Sequence, residues 1–174
     1  TPLPDPVVSI SATPGSGVAT LASSLNWSSS NATSVTVQQI AGPGSFSSSS
    51  LSGSQGLSLA AGNYTYRIEG TNAAAVTRSA QVDVTVSAPT YNLTVNAGSG
   101  GSAAGSPAPL TGLSAGATKT LTATPSGGYQ FSSWSVSGAG SISNATANPA
   151  TFTMGSGNAT VTANFSLIST YNLT

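Results

Sequence analysis

The sequence predicts an all-β protein built as two tandem small β modules, the first of them a β-sandwich. Three observations carry this. No window of the 174 residues repeats its apolar side chains at the helical period, and short alternating runs between Gly, Ser and Pro fill the chain instead. Hydrophobic residues make up 38% and charged residues 3%, so the chain has material for cores and lacks the charge excess of a disordered one. The tetrapeptide Tyr91-Asn92-Leu93-Thr94 returns as Tyr171-Asn172-Leu173-Thr174, which sets a repeat of about 80 residues. Each copy follows a connector ending in Thr, Ser87-Ala88-Pro89-Thr90 and Leu167-Ile168-Ser169-Thr170. The expected modules are residues 1–88 and 89–166. Residues 167–174 are then a connector with the start of a further repeat, or a donated strand.

In the first module, Pro6 to Ser11 reads as an edge strand. Ala19, Leu21, Ser23, Leu25 and Trp27 share one face of the next, and Val35 and Val37 mark a third. Leu57 and Leu59 mark a short strand before the turn Ala60-Ala61-Gly62-Asn63. Tyr64, Tyr66 and Ile68 alternate inward, and Val82, Val84 and Val86 answer them after a loop at Asn72–Val76. Six or seven strands follow, enough for one small core.

In the second module, Tyr91, Leu93 and Val95 share a face. So do Phe152 and Met154, and Val161, Ala163 and Phe165. Tyr129 and Phe131 have the opposite parity from Trp134 and Val136; a bulge near Ser132-Ser133 would bring all four inside. The expected structural core is Trp27, Tyr64 and Tyr66 in the first module and Tyr91, Trp134, Phe152 and Phe165 in the second.

Two resemblances fit this outline. Leu25-Asn26-Trp27-Ser28-Ser29-Ser30-Asn31-Ala32-Thr33-Ser34-Val35-Thr36-Val37, with Tyr64-Thr65-Tyr66 and Gly70-Thr71-Asn72-Ala73-Ala74, resembles a bacterial Ig-like module over residues 6–88. That implies a sandwich used as a spacer or adhesive unit, with Trp27 and Tyr64 in its core. Ala61-Gly62-Asn63-Tyr64-Thr65-Tyr66 is similar to the tyrosine corner of Ig domains, with Tyr66 where a Cys would stand. The long loop Ala41–Gly56 departs from the pattern. The second module resembles the divergent InlB-type B-repeat of bacterial surface proteins. The matching residues are Tyr91–Val95, Leu121–Pro125, Gly128–Ser135, Asn148–Met154 and Val161–Phe165. That implies a small, mostly β repeat found in tandem on cell surfaces, without catalytic activity.

Charge narrows the function. The formal net charge is zero, from three basic and three acidic residues, so nothing attracts nucleic acid or an anionic membrane. No apolar run is long enough to span a membrane, and no charged-then-apolar segment stands at Thr1, so if the protein is secreted Thr1 is expected to lie after a removed leader; the same observation argues against the long apolar N-terminal helix of one class of pilin. Without Cys or His there is no disulfide, no thiolate or imidazole metal site and no Ser/His or Cys/His nucleophile. Arg67, Glu69 and Asp83 share an outward parity and read as a surface charge cluster rather than a carboxylate pair; if Arg67 sits opposite Asp83, Glu69 faces Gln81 and Arg78 lies near the turn. Asp5, Glu69 and Asp83 are the first suspects for any oxygen-ligand metal site. Lys119 has no acid in its module to assist an isopeptide bond. Gly98–Gly105 lacks the Lys and helix of a phosphate cradle and reads as a loop. Phe46 is the aromatic left over for a sugar platform.

Among many Asn-X-Ser/Thr triplets, Asn26, Asn92 and Asn164 fall on outward parity and are the candidate glycosylation positions. Leu167, Ile168, Tyr171 and Leu173 form a candidate assembly strand, because the second module has almost no charge to guard its edges. If this stretch opens another repeat of a longer protein it is loosely held; in a complete subunit it adds to a neighbour's sheet edge. The expectation is a non-enzymatic structural protein without cofactors, secreted or at the cell surface: modules of a bacterial adhesin, or the subunit of an extracellular filament or sheath. Its partners are then itself, other surface or matrix proteins, or glycans. The alternative is a carbohydrate- or ligand-binding accessory module of a secreted enzyme.

Overall fold

The computed structural model describes residues 1–169, and among them there is no helix. The chain divides into two compact units, Thr1–Pro89 and Thr90–Thr174. Tyr171 and Leu173 lie outside the described residues.

The first unit holds β1 (Val7–Thr13), β2 (Ser16–Val18), β3 (Leu21–Ser30), β4 (Ser34–Ala41), β5 (Ser47–Ser48), β6 (Gly53–Leu59), β7 (Gly62–Thr71) and β8 (Thr77–Ser87). They form a three-stranded sheet in the order β1-β3-β6 and a five-stranded sheet in the order β2-β8-β7-β4-β5. Alternation decides which faces meet. Leu25 and Trp27 from the first sheet pack with Val37, Tyr66, Ile68 and Val84 from the second in one buried cluster. The stretch 41–56, expected to be a long loop, supplies β5 and the first half of β6. Phe46, expected to be a spare surface aromatic, lies partly buried against that core. Its ring stands 5.8 Å from Trp27 and 6.4 Å from Tyr66. The Trp27 indole donates to Ser50 O at 3.0 Å, so the indole ties this stretch down. The Tyr64 hydroxyl donates to Ala60 O at 3.0 Å, the local bond of a tyrosine corner.

Burial raises the pKa of the Tyr66 phenol above 10.0, and neighbouring Tyr64 adds to the shift. The unfolded phenol therefore ionises first as pH rises. The stability this burial contributes is complete below about pH 10 and is lost as pH climbs through the folded value. Urea midpoints measured from pH 9 upward should fall, and Tyr66→Phe should flatten that fall.

The second unit holds β9 (Leu93–Ala97), β10 (Gly101–Ser106), β11 (Thr118–Pro125), β12 (Tyr129–Ile142) and β13 (Ala150–Leu167). The sheet order is β10-β11-β13-β12, and β9 pairs with β13 in parallel. β13 is the hub. Its first residues pair with β11, its later residues with β9, and β12 runs along its other side. The core gathers Leu93, Leu121, Trp134, Phe152, Met154 and Val161. Tyr91 and Phe165 are only half-buried against it, and Tyr91 precedes β9, held by an isolated bridge to Leu113.

A bulge between Phe131 and Ser133 reconciles the two parities. It places Trp134 inside at 3% exposure, with Phe131 5.3 Å away. Val136, expected inside with them, is exposed; it lies on the outer strand β12, two residues before a second register shift between Gly138 and Gly140. Gly101–Ser106 is strand β10 rather than the expected loop. Glycine is required at its start, because a Cβ on Gly101 would come within 2.4 Å of the Phe165 ring and 2.7 Å of Thr124 O.

Candidate functional site

Strand register separates the charged residues. Thr65, not Arg67, faces Asp83; Arg67 faces Gln81 and Glu69 faces Ser79, one pair out of step with expectation. Register depends on where the turn closes, and Thr71 pairing with Thr77 fixes it here. Arg67 makes its ion pair along its own strand with Glu69. Asp83 accepts a hydrogen bond from Thr65 Oγ1 at 2.7 Å and has no Arg neighbour of the kind expected. Arg78 pairs with Asp5. Both ion pairs are well exposed, and such pairs typically contribute about 0.2–1 kcal/mol. Among the described residues no three acids gather at one place.

Lys119 does not guard an edge. It sits on interior strand β11, shares the inward face with Leu121 and Ala123, and is 7% exposed. Its ammonium donates to Pro107 O at 2.6 Å. A buried cation without a carboxylate gains little from its place, so an apolar chain of similar length fits as well. Lys119→Met should leave urea stability equal or higher. Lys119→Glu sets an acceptor against the Pro107 carbonyl and should cost about 1–3 kcal/mol or more.

Two side-chain amides, buried Asn72 and exposed Asn148, were not visible in the sequence as structural devices. Asn72 is 5% exposed. Its Oδ1 accepts from the Ala74 and Val76 N–H groups, and its Nδ2 donates to Pro4 O. One side chain thus closes the β7–β8 turn and fastens the N-terminal segment. Asn148 makes a two-way pair with the backbone of Ala123, receiving at 2.9 Å and donating at 2.7 Å. It substitutes for a strand neighbour. The only signal for either was an Asn beside a turn.

The candidate glycosylation positions differ. Asn26 Nδ2 donates to Ser24 O, and Asn164, half-buried, donates to Ser133 Oγ and Ser135 Oγ. Asn92 is exposed and uses its Oδ1 to accept from Gly112 N–H. Of the candidate assembly strand, Leu167 belongs to β13 and pairs with Tyr129, and the Ile168 N–H donates to Gly128 O. These two residues are therefore engaged within their own unit, so any donated segment begins after them.

Two open concavities stand out among the described residues. One, of about 280 Å³, lies in the first unit among Leu3, Pro4, Ala32, Thr33, Asn72 and Ala73. The other, of about 380 Å³, is a polar cleft in the second unit, between Asn92 and Thr94 on one side and Ser137 and Gly138 on the other, floored by Asn158 to Thr160. Neither contains an ionisable side chain. Besides the two exposed ion pairs, the surfaces on offer are uncharged sheet edges, a mainly apolar concavity in the first unit and a neutral hydrogen-bonding cleft in the second.

A search of the curated proteins finds no match to this chain. Residues 91–169 match the family model of the divergent InlB B-repeat domain, which spans the described part of the second unit from Tyr91 onward and leaves the first unit to be read from its own residues.

Proposed function

We propose that this chain is a non-enzymatic structural protein of a bacterial cell surface or extracellular matrix, either tandem β modules of an adhesin or the subunit of a filament or sheath. The observation that carries this reading is the B-repeat match over residues 91–169, a domain type implied to occur in tandem on surfaces. The first unit supports it as an Ig-like spacer, through its two-sheet architecture and the Tyr64–Ala60 bond. The distribution of charge supports self-association. Sheet edge β6 carries Gly, Ser, Gln and Leu with no charge and no Pro, and β12 carries none either. Such edges lack the usual barriers to pairing with another chain. Surface hydroxyls and amides can also be covered without desolvating ions.

Electron microscopy of material from the native source tests this. Fibres, sheaths or surface layers containing the chain are the expected result. Isolated soluble particles that co-purify with a secreted hydrolase would reject it in favour of an accessory module.

A further inference from the structure

The polar cleft of the second unit has a built-in polarity. β9 and β13 run parallel, with Leu93 beside Ala159 and Thr94 beside Thr160. This brings two Asn-X-Thr triplets into register, Asn92-Leu93-Thr94 and Asn158-Ala159-Thr160. Both asparagines are exposed, and one backbone hydrogen bond orients each amide. Asn158 Oδ1 accepts from the Asn92 N–H at 2.8 Å, and Asn92 Oδ1 accepts from the Gly112 N–H at 3.2 Å. With both oxygens committed, both Nδ2 amino groups are left as donors without a partner among the described residues. Ser137 pairs with Thr160 across β12 and β13 and adds a hydroxyl to the opposite wall. Gly138 has φ near 88°, and a Cβ there would come within 2.3 Å of Asn158 O. Only glycine lets that wall approach so closely.

We propose that this cleft binds a neutral, hydroxyl-rich ligand, a short segment of uncharged saccharide. The oriented amino groups require acceptor oxygens, and the hydroxyls of Thr94, Thr160 and Ser137 accept or donate as sugar hydroxyls do. No charged side chain lines the cleft, so an ionic ligand has no counter-charge there. A volume of about 380 Å³ suits one or two sugar rings. No aromatic lines the cleft, which removes the stacking surface of a tight sugar site and sets affinity in the millimolar range. Repetition of the module would supply avidity. The inference is independent of the assembly reading, and either can fail alone.

The test is a ¹H–¹⁵N NMR titration of the full chain with maltose, cellobiose and di-N-acetylchitobiose. The expected result is saturable shifts, for at least one sugar, in the side-chain NH₂ groups of Asn92 and Asn158 and the backbone amides of Gly138 and Thr160. Asn158→Asp keeps the acceptor for the Asn92 N–H while deleting the amino donor, and should weaken binding about 5-fold or more. Thr160→Val preserves shape and should weaken it by a similar factor. Each variant's backbone spectrum reports that the fold is kept. No saturable shifts with any of the three sugars, shifts centred elsewhere, or unchanged affinity in both folded variants would overturn the proposal.

Discussion

Replacing Trp134 with alanine should destabilise the second unit by about 3–5 kcal/mol, the range for removing a large buried aromatic and leaving a cavity. Trp134 is 3% exposed, packs on Phe131, and donates from Nε1 to Ala147 O at 3.0 Å. Its backbone N–H also donates to Ala145 O. The indole therefore fills the core and holds the segment between β12 and β13. Trp134→Phe keeps part of the volume and loses the bond to Ala147, so its cost should be smaller. Urea denaturation followed by circular dichroism gives both values. A cost under about 1 kcal/mol for the alanine variant would show that the core does not close around this side chain.

Trp27→Ala should cost the first unit a similar 3–5 kcal/mol. Its signature should differ. Trp27 holds Phe46 at 5.8 Å and Ser50 O at 3.0 Å, so it is the tether of the stretch between β4 and β6. Ser29 adds a bond to Leu51 O. Losing the indole should release that stretch before the rest of the unit. Hydrogen exchange should quicken selectively over residues 42–52, and limited proteolysis should cut there first. Uniform loss of protection across the first unit would mean that the stretch is held by other contacts.

Much of the fold was legible because strand parity is a local property. Tyr64, Tyr66 and Ile68 each project into the core of the first unit, as alternation requires. The break in parity between Phe131 and Trp134 could be read as a bulge for the same reason. What was not legible depends on distant partners. The offset between Arg67 and Asp83 follows from the turn at Thr71 to Thr77, which parity alone does not fix. Phe46 looked superfluous because nothing nearby in sequence announces Trp27 as its neighbour. The burial of Lys119 was not legible either, because it depends on the distant Pro107 carbonyl that its amine reaches while its stem packs inward on β11. The polar cleft stayed hidden because it needs β9 to pair in parallel with β13, a contact across more than 60 residues of sequence. Its only trace was the repeated Asn-X-Thr triplet, which is common in a chain so rich in Asn and Thr.

The most direct test of the structural reading is the assembly state of the purified chain. The full chain and a variant ending at Ser169 should be followed by light scattering and negative-stain microscopy over a concentration series. Ending there keeps the Ile168–Gly128 bond and the whole of β13, so the second unit retains its described contacts. The reading predicts that the full chain forms higher-order particles as concentration rises. Loss of those particles in the shortened chain would assign the contact to residues 170–174; their persistence would assign it to the uncharged edges of β6 and β12. A full chain that stays strictly monomeric at every concentration would contradict assembly altogether.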